Sequence, residues 1–420
     1  MTGGLDRKAY LRLLTAALVS MFLVRVAFGV LLSVLPAYLR EGNTVLGLVS
    51  SASPFLEAIT IVFAGVVIDR YGHKGVLLTG LGLAAVALYG VALTRNVYVV
   101  SLVNAVHGIA AAFILVTTLA IIASYASPAH RGREMGLFNF ANVFGYVVGY
   151  AAAFVLQDAL AARLEYAFII AGALATAGLL LANRMIVLPK GEKELVRELH
   201  HRATLKDFVA AFRTPRLLLL IVPWLIVFSL VAALVTFLPR VTGSVLQLSG
   251  GATAAGILVS GIVFVAAQIF WGRLADLYGR ELIMLIGATG FAALMSVIVF
   301  AYLSTRSNDP GVIFDAVFSH PAILVTLLFV AFAFPPAGLA AIADEAKTGA
   351  EGTTMSAYSL TLSLGFIIGP PLVGFISETL GGQGMLLFFA LSAAGLFALV
   401  LTRYIQVRVT KRGKALEAGP

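Results

Sequence analysis

Long apolar runs recur along the whole 420-residue chain, and no soluble fold can hide them all. Separated by charges or Gly/Pro clusters, they fall at 13–38, 46–68, 75–94, 97–125, 135–157, 166–187, 217–239, 251–271, 282–303, 321–343, 354–376 and 385–405, which makes twelve. About 20 apolar residues cross a bilayer core of ~30 Å as a helix, so each run is long enough to span. Composition agrees: 60% of residues are hydrophobic and 12% charged, where a soluble domain has ~45–50% and ~25%. A mean hydropathy of +1.00 makes lipid the solvent for much of the chain. Membrane β-barrels show short alternating segments instead, so the expected fold class is an all-α membrane protein with twelve transmembrane helices.

Charge sets the topology. With the N-terminus inside, 23 of the 29 Lys and Arg residues fall on the cytoplasmic side and five on the other, leaving Arg25 deep within a span. The positive-inside rule then places both termini in the cytoplasm and the protein in the cell membrane as a multi-pass chain. The formal charge of +9 is topology by this reading, and no nucleic-acid partner is expected. Met1 to Tyr10 is short and basic and runs into an apolar stretch too long for a signal-peptide core, so a retained first span is expected. Cysteine is absent, which removes disulfides and thiolate metal sites.

The chain divides into an N-terminal six-span half at 1–188, a linker at 189–215 and a C-terminal half with a basic tail at 216–420. In the linker, Thr204 and Asp207 make a capping-box-like start, and Leu205, Phe208, Val209 and Phe212 follow at helical spacing, as in a short helix lying along the membrane face. The halves repeat. Gly65, Asp69 and Gly72 after the second span recur as Gly272, Asp276 and Gly279 after the eighth, each offset by 207 residues, with Arg70 and Arg280 beside them. A glycine at the helix end permits close helix approach, the aspartate offers an acceptor to an exposed helix N-terminus, and the second glycine frees the turn.

These two stretches resemble the cytoplasmic-loop signature of the major facilitator superfamily, Gly-x-Leu-Ala-Asp-Arg-x-Gly-Arg-Lys; the first copy departs in having Val67 for Leu and His73 for Arg. Arg131-Gly-Arg133 before span five and Gly365-x-x-x-Gly369-Pro370 in span eleven are similar to superfamily features as well. The resemblance implies two pseudo-symmetric six-helix bundles around a central cavity lined by spans one, four, seven and ten, opening alternately to either side. It also implies that Asp69 approaches the start of span eleven near Thr353 and Asp276 the start of span five, so that Gly65, Asp69, Arg70, Gly72, Gly272, Asp276, Gly279 and Arg280 act in gating. Two departures stand out. Span four reads Asn104-Ala-Val-His107-Gly108, without the Arg the superfamily often carries, and Tyr146 in span five stands where exporter-type members have a Pro after Gly.

Enzyme chemistry is not expected: one His, His107, lies clearly within a span, no metal-ligand spacing occurs, and His200 and His201 are adjacent in the solvated linker. No Gly-x-x-x-x-Gly-Lys-Ser/Thr loop exists to bind ATP, so transport is ion-coupled or passive and no cofactor is expected. Asn104 and His107 share a helix face in span four, and with Asn142, Phe22, Phe28, Trp224, Phe228 and Phe334 they are candidate cavity residues. Such a lining, rich in rings and poor in fixed charge, suits an apolar or amphipathic small molecule better than a sugar. Small residues at 141, 145, 149 and 153 of span five, and Gly365 and Gly369 of span eleven, mark close helix packing.

Two charges fall deep within spans, Arg25 and Glu57, and both are costly in hydrocarbon. Arg25 stands ~20 Å above Arg12, and Glu57 ~18 Å above Asp69, at 1.5 Å per residue, so their depths match. A carboxylate whose distance from an arginine changes with conformation can bind and release a proton. The expected function is proton-coupled export of hydrophobic or amphipathic molecules by a monomer, whose partners are that small molecule, protons and the lipid bilayer. Uptake or exchange of a small organic anion, with Arg25 as its ligand, is the alternative; a non-transporting membrane receptor or sensor is the alternative of another class.

Overall fold

The computed structural model describes residues 7–125, 134, 136–138, 140–160, 163–187, 215–242, 247–305, 312, 316–317, 319–345 and 351–417, and all regular structure among them is helical. Among the described residues twelve helical spans are long and apolar enough to cross a membrane, one for each sequence run. The N-terminal half contains α1 (Arg7–Leu39), α2 (Asn43–Tyr71), α3 (His73–Ala92), α4 (Val97–Tyr125), a π-helical turn (Phe140–Phe144) leading into α5 (Gly145–Leu160), and α6 (Glu165–Met185). The C-terminal half contains α7 (Pro215–Arg240), α8 (Gly250–Tyr278), α9 (Arg280–Thr305), α10 (Pro321–Ala331), α11 (Phe334–Glu345), α12 (Glu351–Thr379) and α13 (Gly381–Glu417). Positions 189–214 of the linker, with its amphipathic pattern and His200 and His201, lie outside the described residues, as do Arg131 and Arg133.

Span ten differs from the single run that hydropathy suggests. It is two helices, α10 and α11, joined at Phe332 and Ala333. Pro335 and Pro336 follow at once, and neither has an N–H to return to the carbonyls of Ala331 and Phe332, so the α-helical ladder breaks there.

Contacts divide the chain into two compact units, one comprising Met1–Arg202 with Ala233–Leu258 and the other Ala203–Ala232 with Val259–Pro420. The core of the first unit runs along α1, whose buried face carries Leu13, Ala17, Met21, Val24, Phe28, Leu31 and Leu35. Within it, α1 lies against α5 and α6, and α4 against α2 and α3. At the end of span five Asp158 accepts the Gly250 amide at 2.6 Å, an anion on the N-terminus of α8, and Arg240 donates to Asn43 and to the Glu41 carbonyl. Asp158→Ala is expected to speed amide exchange at Gly250 roughly five- to tenfold, read by hydrogen–deuterium exchange, because a charge-assisted bond to a helix terminus is lost.

In the second unit the core gathers Trp224, Phe228, Trp271, Met284, Phe334 and Ile342. The indole N–H of Trp271 donates to the Phe329 carbonyl on α10 at 2.8 Å, and α9 lies against α10, α11 and α13.

The glycine stripes seat helices on one another in both units. A Cβ at Gly145 would stand 2.7 Å from the Cβ of Arg25, and one at Gly149 would overlap the backbone of Val26 on α1. Gly365 and Gly369, with the same four-residue spacing on α12, meet Phe228 and the backbone of Ser229 on α7 in the same way. Close packing, as these stripes suggest, is what they do.

Candidate functional site

A polar constellation is buried inside the first unit, built by α1, α2, α4 and α5. The approach of α1 and α5 places its centre. Glycine stands on both helices, since a Cβ at Gly29 of α1 would overlap the Tyr146 carbonyl just as one at Gly149 would overlap Val26. With the two backbones in contact, Arg25 reaches Tyr146: the guanidinium Nη1 donates to the hydroxyl at 2.7 Å. Its Cζ stands 4.9 Å from the Tyr146 ring centroid and 5.5 Å from that of Phe28. Arg25 is 3% exposed, and its Nε has no hydrogen-bond partner. The cation is therefore held by one neutral acceptor and two ring faces, which attract it through their quadrupoles.

Phe28 continues the constellation to α4, where its ring meets His107 edge-on. His107 shares a 2.9 Å hydrogen bond between Nδ1 and the Ser53 hydroxyl, while its Nε2 is buried without a partner. Ser53 sits one turn before Glu57 on α2, so both share a face. Asn104, one turn from His107, donates to the Val49 carbonyl at 2.7 Å. Gly108 holds this pair of helices together, because a Cβ there would overlap the Ser53 carbonyl. Glu57 is coupled electrostatically to Arg25 and to Tyr146, so four spans contribute to one charged cluster at mid-helix depth. Asn142 lies in the π-helical turn and its side-chain oxygen is buried with no partner; Phe22 is one turn below Arg25 and its carbonyl lies against Gly145.

Trp224, Phe228 and Phe334 come together in the second unit. Trp224 stacks on Phe228 at 4.9 Å between centroids and meets Phe334 at 5.1 Å. Tyr358 of α12 completes the cluster, 5.1 Å from Trp224 and 5.5 Å from Phe228. Sequence reasoning met Tyr146 only as a departure from the exporter pattern, not as a site residue, and did not single out Ser53 or Tyr358. For Tyr146 a signal existed: a phenol between two packing glycines on the helix facing Arg25.

At the loop repeats, Gly72 and Gly279 both take positive φ, 81° and 95°. Their amides close the preceding helices, on Ile68 O and Ala275 O, and their carbonyls accept from Val76 and Ile283 of the following ones. The expected turn is thus made twice with the same bonds. Close approach at the first glycine of each motif is not made: among the described residues nothing lies within 4 Å of a Cβ at Gly65, and at Gly272 the nearest atom is Pro336 Cβ at 3.8 Å. Arg280 pairs with Asp344 at 2.7 Å and lies 3.9 Å from Asp276; it also donates to the Ala340 carbonyl near the end of α11. Arg70 stacks over the Tyr71 ring at 5.4 Å. The side chains of Asp69 and Thr353 lie outside the described residues.

The Major Facilitator Superfamily model matches residues 17–308 and 256–419. Multidrug resistance protein 2 of Bacillus subtilis (strain 168) is 23% identical over 372 residues, 86% of this chain and 87% of that protein. Multidrug resistance protein MdtG of Salmonella choleraesuis is 29% identical over 311 residues, 70% of this chain and 72% of that one. Among solved structures, the nucleoside transporter NupG superposes with a TM-score of 0.68 at 16% identity, over 93% of this chain and 98% of that one. The human organic anion transporter MFSD10 gives 0.64 at 20% identity, over 94% and 99%. These relatives and neighbours are transporters and not enzymes, and twelve membrane-spanning helices with a duplicated loop motif fit the same description. The chain is a multi-pass membrane transporter belonging to the Major Facilitator Superfamily.

Proposed function

We propose that the chain is a proton-coupled exporter of hydrophobic or amphipathic small molecules, with Glu57 as the proton-binding group and Arg25 as its partner. The observation that carries this reading is the cluster of buried Arg25 and His107 with half-buried Tyr146 and Glu57. An intramembrane cation and carboxylate coupled to one another are costly to keep unless a transport cycle uses them. Export draws its support from the multidrug relatives, at 23% and 29% identity. Asn104, His107, Asn142, Phe22 and Phe28 of the first unit and Trp224, Phe228 and Phe334 of the second are the proposed substrate contacts. The bodies that move are the halves 1–188 and 216–420, acting in a monomer at the cell membrane with both termini cytoplasmic. The loop-repeat residues, Asp69 and Asp276 above all, are proposed to gate the termini side.

The test is transport by purified protein in proteoliposomes under an imposed pH gradient, with ethidium, uridine and fluorescein as probes. Ethidium accumulation that follows the gradient and collapses with a protonophore is expected. Accumulation of uridine or fluorescein instead would reject the substrate class, and movement indifferent to the pH gradient would reject proton coupling.

For the gates, Arg280→Ala frees Asp344 and the end of α11 from their shared cation. A single cysteine at Ala340 of this Cys-free chain is expected to react with a soluble maleimide severalfold faster in that background. An unchanged rate would mean that Arg280 does not hold this end closed.

A further inference from the structure

Tyr146 is the hydrogen-bond partner of Arg25, an arginine buried at mid-span depth, and the chain is wound to put it there. The π-helical turn at Phe140–Phe144 ends immediately before Gly145 and Tyr146. Such a turn is rare and recurs at functional sites, and its wider i→i+5 winding rotates the residues that follow onto a different face. Gly145 then lets the α5 backbone approach Arg25 closely, and the next residue delivers the hydroxyl at 2.7 Å. Only Glu57, by contrast, offers Arg25 an opposite charge within the cluster, and it reaches Arg25 electrostatically while the hydrogen bond goes to the phenol.

A neutral hydroxyl and a carboxylate differ in one useful way. The bond from a guanidinium to a charged acceptor is about twice as strong as to a neutral one, so an ionised Glu57 outcompetes Tyr146 for Arg25 and a protonated Glu57 does not. We propose that Tyr146 is a positioning residue for coupling: it receives Arg25 whenever Glu57 is protonated, and yields it when Glu57 is ionised. Arg25 thereby alternates between α5 and α2, and the proton on Glu57 decides which helix α1 is tied to. This rests on Glu57 being the proton-binding group. The other groups facing the exchange are His107, turned to Ser53 and against Phe28, and Tyr150, whose hydroxyl donates to the Val235 carbonyl at 2.6 Å. Tyr150 is thereby engaged elsewhere, while His107 keeps Nε2 buried without a partner and is coupled electrostatically to Arg25.

The exchange is testable without knowing the substrate. Infrared difference spectra of the purified full-length protein, taken across a pH titration, read the carbonyl stretch of a protonated carboxyl group directly. In the wild type one such band is expected to titrate, and it should vanish in Glu57→Gln. In Tyr146→Phe, which keeps the ring and its cation–π contact but removes the acceptor, Arg25 has only Glu57 to bind. The midpoint of the band is then expected about one unit lower in pH. Tyr146→Leu, smaller but without a hydroxyl, should shift it in the same direction and replaces the Phe variant should that fail to fold. If the band persists in Glu57→Gln, or no band titrates in the wild type, the assignment of Glu57 itself is wrong. If the band is lost in Glu57→Gln yet its midpoint is unmoved or raised in the Tyr146 variants, Glu57 stands and the role of Tyr146 is overturned.

Discussion

Glu57→Gln is expected to abolish uphill transport driven by a pH gradient while leaving substrate exchange across the same proteoliposomes measurable. Glutamine matches the carboxyl in size and keeps a polar group beside Ser53 on the inner face of α2, so helix packing against α4 through Gly108 is retained. What disappears is the only acidic group in the cluster, and with it the means of exchanging a proton against the charge of Arg25. Downhill exchange needs no net proton movement, and so survives. Accumulation falls by the full gradient-dependent component, an order of magnitude or more. Arg25→Ala is expected to impair both activities, because it removes the cation and also opens the contact on which α1 and α5 meet at Tyr146.

Gly149→Val is expected to be the most damaging packing change. Its side chain would have to occupy the backbone of Val26 rather than a flexible side-chain tip, and Gly29 and Gly145 on the same interface leave the helices no room to separate locally. Overpacking of this kind costs about 1–3 kcal/mol where side chains can yield, and more where only backbone can. The variant should show little folded, monodisperse protein in detergent, with a thermal midpoint lowered by several degrees in whatever is recovered. Gly65→Ala is the control: no described atom stands near its Cβ, so recovery and midpoint should match the wild type. Equal behaviour of the two variants would mean that the α1–α5 approach does not govern stability.

Much of this architecture was legible in the sequence because membrane folding depends on long, local signals. Twelve apolar runs became twelve spanning helices, since a backbone in lipid must satisfy its hydrogen bonds within each segment. The duplicated Gly-Asp-Gly stretch became two turns with one geometry, because φ values of 81° and 95° favour glycine at both. Span ten was less legible: hydropathy is blind to a break that leaves apolar residues on either side, and only the Pro335-Pro336 pair signalled it. In the site, helical rise alone matched the depths of Arg25 and Glu57. What depth could not supply was rotation about each helix axis. The π-helical turn at 140–144 alters that rotation for everything after it in span five, and no periodicity announces it. For that reason the phenol that holds Arg25, and the Ser53 hydroxyl that holds His107, emerged only from the structure.

The central claim, that substrate and proton move in exchange through Glu57, is tested most directly by watching the proton. Proteoliposomes loaded with pyranine and held at equal pH on both sides are given ethidium outside, so that dye entry down its gradient must drive protons out if the two are coupled. The expected result is alkalinisation of the lumen that tracks dye entry in the wild type and is absent in Glu57→Gln. Dye entry by the wild type with no change in lumenal pH, or an equal change in the Glu57→Gln variant, would contradict it.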